Sequence, residues 1–70
     1  MTTRNTPQQR EQKRHLAHAA ALRRKAAHHR AVAAKHAPGT PYNTRSIRLA
    51  KTLERNAARC DEMAAKAAQP

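Results

Sequence analysis

Five histidines and one cysteine are the side chains of this 70-residue chain best suited to site chemistry: His15, His18, His28, His29, His36 and Cys60. His15 and His18 are three apart, which on a helix puts both imidazoles on one face, a spacing that can hold a divalent ion. A second pair would have to come from another chain, because no carboxylate cluster lies near them and Cys60 is the only cysteine. The expectation is therefore no metal and no cofactor, with the histidines as polar surface residues that add charge near phosphate. Cys60 is expected to behave as a small buried hydrophobe. A catalytic thiolate needs a sheltered His partner, and this chain has too little bulky apolar material to shelter one, so no catalytic residue and no enzyme is expected.

The other chemistry is charge. Fifteen Lys and Arg face four Asp and Glu, for a formal net charge of +11 at pH 7. Through residue 53 there are twelve Lys and Arg against the single acid Glu11, which accounts for the whole surplus. From residue 54 onward Arg55, Arg59 and Lys66 balance Glu54, Asp61 and Glu62. Arg outnumbers Lys ten to five, and its planar fork suits bidentate contacts to phosphate and guanine. This imbalance exceeds what solubility requires and points to a polyanion partner. The expected phosphate contacts are Arg10, Lys13, Arg14, Arg23, Arg24, Lys25, Arg30, Lys35, Arg45, Arg48 and Lys51. Engaging five or six phosphates would give a slope of log K against log salt of about −4 to −5.

Two helices must carry these cations. Of the 27 residues counted as hydrophobic, seventeen are Ala, and Leu, Ile, Val and Phe together number six. Such a composition gives a single small domain with little independent core. Thr6-Pro7-Gln8-Gln9 reads as a helix start, with Thr6 as cap, Pro7 at the first helical position and Gln9 completing a capping box. No Gly or Pro follows until Pro38-Gly39-Thr40-Pro41, a strong breaker. The expected organisation is a frayed N-terminus over 1–5, a long basic helix over 6–37, a turn over 38–43 capped by Asn43 or Thr44, and a shorter amphipathic helix over 44–68. The fold class is all-α, an antiparallel two-helix hairpin.

On the second helix Leu49, Leu53, Ala57, Cys60, Ala64 and Ala67 form one apolar stripe, with Met63 beside it. Glu62 stands in position to pair with Arg59 and Lys66. The first helix offers two seams. One is an Ala stripe of Leu16, Ala19/Ala20, Ala26/Ala27, Ala33/Ala34 and Ala37. The other has heptad spacing: Glu11, His15, His18, Leu22, Lys25, His29, Val32 and His36. The second is too polar for a stable coiled-coil core, so the Ala stripe is expected to pack. Leu49 would then meet Ala33/Ala34, Cys60 would meet Leu22, and Ala67 would meet Leu16. The packing or partner interface is thus expected at Leu16, Leu22, Leu49, Leu53, Cys60 and Met63.

These features predict a small, basic, non-catalytic, cytoplasmic nucleic-acid-binding protein, bound to structured RNA (ribosomal RNA included) somewhat in preference to duplex DNA, or sited within a nucleoprotein complex. The only aromatic, Tyr42, is too little for a base-stacking platform and is expected to pack over helix ends. The chain lacks the third helix of a helix-turn-helix unit. A membrane-surface helix needs a broad apolar face, and Leu16, Leu22 and Val32 do not align, so no membrane partner is expected. The rival reading is an adaptor or inhibitor that docks on an acidic surface of a larger protein such as a polymerase or nuclease, anchored by Leu49, Leu53, Cys60 and Met63. Stabilisation by a homodimer is a further expectation.

Overall fold

The computed structural model describes residues 6–68 and consists, over these, of two helices, α1 (Pro7–Ala34) and α2 (Pro41–Ala67), packed as an antiparallel hairpin. Thr6 caps α1 as the sequence implies. Its Oγ1 accepts from the Gln9 N–H at 3.1 Å, and Gln9 Oε1 accepts from the Thr6 N–H at 2.9 Å. The segment 1–5 lies outside the described residues. α1 ends at Ala34 rather than 37, and α2 begins at Pro41 rather than 44, so the connection falls on residues 35–40. Pro41 does not belong to the turn: it occupies the first helical position, where a missing N–H costs nothing, and Thr40 is the cap. Thr40 Oγ1 donates to the Ala37 carbonyl at 2.7 Å and accepts from the Asn43 N–H at 3.4 Å. Gly39 takes φ +83°, a left-handed conformation that side chains resist. The second helix proves shorter by one residue, 27 against 28.

The seam repeats every seven residues on both helices. Ala19, Ala26 and Ala33 of α1 are buried, as are Ala50, Ala57 and Ala64 of α2. Between them, at the alternate seam positions, lie half-buried His15, Leu22 and His29 on α1, and Ser46, Leu53, Cys60 and Ala67 on α2. Each of the two seams read from α1 therefore supplies half of the real one, the alanines from the first and His15, Leu22 and His29 from the second. Small residues at every seventh position let the backbones approach, and the polar imidazoles are tolerated because they remain half exposed. Cys60 packs with Ala19 and Ala57, and Leu22 rests against that cluster.

Three expected packing residues are not in the seam. Leu16 is 47% exposed, Leu49 44% and Met63 53%. Leu49 precedes Ala50 by one residue, and on a helix one residue is a turn of about 100°, enough to leave the interface. Ala50 takes its place at full burial.

The result is a thin slab of 55 × 22 × 9 Å. Its accessible surface is 5773 Å², against about 4,400 Å² for a compact globule of this mass. Much of the molecule is surface, and most of that surface is available for contact.

Candidate nucleic-acid interface

Heptad lettering places every charge. With Ala19 and Ala50 at position a and Leu22 and Leu53 at d, the e positions of α1 include Arg23 and Arg30, and those of α2 include Glu54 and Asp61. These pair across the seam. Arg30 Nε donates to Glu54 Oε2 at 2.9 Å and its Nη2 to Oε1 at 2.6 Å. Arg23 grips Asp61 through both terminal nitrogens, Nη1 reaching Oδ1 at 3.4 Å. The guanidinium hydrogen bonds hold both carboxyls below their ordinary range, with charge attraction adding to the effect. Both bridges lie on one broad face and are largely open to solvent.

This pairing rearranges the charge read from the sequence. Two expected phosphate contacts, Arg23 and Arg30, are engaged within the fold. Two of the three acids that balanced the tail, Glu54 and Asp61, have been taken by α1, and among the described residues Arg55, Arg59 and Lys66 stand without carboxylate partners. Glu62 makes no ion pair among the described residues, and the expected bridges to Arg59 and Lys66 are not formed; the remaining pair is His15 with Glu11, 3.6 Å apart. Twelve of the fourteen described Lys and Arg are thus uncommitted, and all fourteen are exposed.

The uncommitted cations divide between the two long outer edges. Along α1, Arg10, Lys13, Arg14 and Arg24, with Lys35 at its C-cap, occupy the outward b, c and f positions, with Lys25 beside them at g. No acid shares those outward positions. On α2, Arg45, Arg48, Lys51, Arg55, Arg59 and Lys66 do the same, joined by Glu62. The expected contacts therefore do not form one cluster. Arg45, Arg48 and Lys51 lie on the opposite edge from the α1 set, near the turn.

The remaining chemistry-bearing residues are placed as follows. His15 lies beside Glu11, and His18 Nδ1 lies 3.5 Å from Cys60 Sγ. His28 and His29 meet edge to face at 5.6 Å. Tyr42 lies in the first turn of α2, 68% exposed, and stacks on His36 with centroids 5.3 Å apart. No group of three His, Cys, Asp or Glu side chains gathers among the described residues. No described helix is long and apolar enough to cross a membrane.

Two contributions were missed in the sequence. The first is Arg55, Arg59 and Lys66, hidden by local charge balance. The second is Asn43, which is not a cap. Its Nδ2 donates to the Ala33 carbonyl at 2.9 Å and to the His36 carbonyl at 3.5 Å, tying α2 to the end of α1. A polar residue at an a position is the signal that identifies it.

The class this geometry defines is an antiparallel coiled-coil hairpin with an alanine seam, two cross-seam ion pairs and two cationic edges. Comparison with known proteins gives no match, whether to a family model, a curated protein or a solved structure.

Proposed function

We propose that this hairpin is a non-catalytic nucleic-acid-binding protein that lies along duplex segments of structured RNA or of DNA, gripping phosphates with the outer edge of α1. The observation that carries this reading is the uncommitted state of twelve of the fourteen described cations, together with an α1 edge free of acids. A lone α-helix about 10–12 Å across matches the width of a B-DNA major groove, whereas the 22 Å hairpin does not. One edge therefore engages, and Arg10, Lys13, Arg14, Arg24, Lys25 and Lys35 are its contacts. The opposite edge, with Arg45, Arg48 and Lys51, adds long-range attraction that speeds association. Readout of base sequence is not expected to dominate, because contacts of this kind position a protein without specifying bases. A cytoplasmic setting goes with this reading, since nucleic acid is an abundant polyanion there and the single thiol stays reduced.

The test is fluorescence anisotropy with matched RNA and DNA duplexes. Binding is expected at about 20–50 mM salt and should weaken by several powers of ten by about 200 mM. A chain that binds neither duplex in the dilute buffer refutes the proposal.

A further inference from the structure

One broad face of the slab is closed by the two ion pairs; the other is not. On that second face the g positions of α2 are Tyr42, Leu49, Asn56 and Met63, and the three other than Asn56 are three of the four large hydrophobic side chains exposed among the described residues. Val32, half-buried at a g position of α1, lies on the same face. At the far end of the row, an open hollow of about 470 Å³ is bordered by Met63, Lys66 and Ala67 of α2 and by Gln8, Glu11 and His15 of α1. Residues three apart are neighbours on a helix, so Tyr42 has Arg45 beside it, Asn56 has Arg59 and Met63 has Lys66. Across the face, α1 contributes Lys25. The single acid on these rows is Glu11, which faces His15.

We infer that this face is a docking site for a partner protein's acidic amphipathic helix, whose apolar stripe covers Tyr42, Leu49 and Met63 and whose flanking Asp and Glu meet Arg45, Arg59 and Lys66. A phosphate chain uses the cations of such a frame and gains nothing from the Leu and Met at its centre. A helix with an apolar middle and acidic flanks uses both. A second copy of this chain fits poorly, because pairing two such faces would set cationic frame against cationic frame, with +11 on each copy. Leu49 lies one heptad from Tyr42 and Met63 two heptads further, the repeat with which one helix lies along another. The hollow receives one further side chain beside Met63. This site shares only Lys25 with the phosphate-binding edge of α1.

The experiment uses the full chain and a synthetic helical peptide of about three heptads, with Leu at a and d and Glu elsewhere. A shuffled peptide of the same composition serves as control. The helical peptide is expected to bind at least about tenfold more tightly than the shuffled one. The triple variant Tyr42→Ala, Leu49→Ala, Met63→Ala leaves the charge and the buried seam untouched. It should keep its helicity by circular dichroism, lose peptide affinity by about tenfold or more, and bind nucleic acid within about twofold of the parent. A second variant, Arg59→Gln with Lys66→Gln, should also weaken the peptide, and more so at low salt. Equal binding of both peptides overturns the inference, as does a triple variant that binds the helical peptide normally. Sedimentation that shows a dimer abolished in the triple variant assigns the face to a second copy and overturns it. A parallel loss of duplex binding in that variant assigns it to nucleic acid and overturns it as well.

Discussion

Neighbouring cations on α1 should behave in opposite ways. Arg23 and Arg30 are tied to Asp61 and Glu54, whereas Arg24 and Lys25 have no carboxylate partner among the described residues. Two double variants remove the same charge: Arg24→Gln with Lys25→Gln, and Arg23→Gln with Arg30→Gln. With six phosphates engaged along α1, log K falls with log salt at about −0.9 per phosphate, giving a slope near −5.4. Raising salt fourfold, from about 50 to about 200 mM, then weakens binding roughly 2 × 10³-fold. Loss of Arg24 and Lys25 leaves four contacts, a slope near −3.6 and a weakening of about 150-fold over the same range. Loss of Arg23 and Arg30 should keep the parent slope, because those guanidiniums are already occupied. It should instead lower the melting midpoint, since Asp61 and Glu54 lose their partners. The assay is anisotropy of a labelled duplex at four or more salt concentrations, with thermal melts of each variant alongside. Equal slope changes in the two double variants would refute the reasoning, as would an unchanged slope after loss of Arg24 and Lys25.

Other expected outcomes concern the fold. Ala57 is fully buried between the helices, so Ala57→Leu forces them apart and should cost about 1–3 kcal/mol in a urea melt, whereas Ala58→Leu on the exposed side should be nearly neutral. Asn43→Ala removes two bonds to α1 carbonyls and should cost about 1–2 kcal/mol by the same measurement. The carboxyls of Asp61 and Glu54 are held below their ordinary range when folded, so their support is present above the unfolded carboxyl pKa and is lost as pH falls through the lower folded value. Helicity at fixed temperature should accordingly decline below about pH 4, and the variant Arg23→Gln with Arg30→Gln should flatten that decline.

Local signals were readable and distant ones were not. The Thr6–Gln9 capping box spans four residues, and both of its hydrogen bonds form. Pro41 misled because proline breaks a helix internally yet favours its first turn, and only Thr40 before it distinguishes the two. The α1 seam was ambiguous because Ala is so common that any face of the helix holds several. The packed row Ala19, Ala26 and Ala33 has an exposed neighbour, Ala20, Ala27 and Ala34, with the same period of seven, so spacing alone does not tell the two rows apart. Leu49 misled through side-chain size: in a seam this tight the smaller Ala50 wins. The pairs Arg23–Asp61 and Arg30–Glu54 join residues 38 and 24 positions apart. They depend on the alignment of the two helices; setting Cys60 against Leu22 already comes close to it, but only the packed seam shows which flanking residues face each other. The reassignment of Arg55, Arg59 and Lys66 follows from that alignment.

The alanine seam also bears on what keeps the two rods from sliding past each other. Ala rows that recur every seven residues look the same after a shift of one repeat, so the apolar layers alone leave several alignments nearly degenerate. What removes the degeneracy is polar: the amide of Asn43 at the closed end, and two guanidinium clamps further along. If either rod moved by about 10 Å, the length of one heptad, only one guanidinium would meet a carboxylate, Arg30 at Asp61 or Arg23 at Glu54, and the other would be left without one. Hydrophobic contact holds the helices together, and hydrogen-bonding groups with fixed addresses decide where along each other they stop.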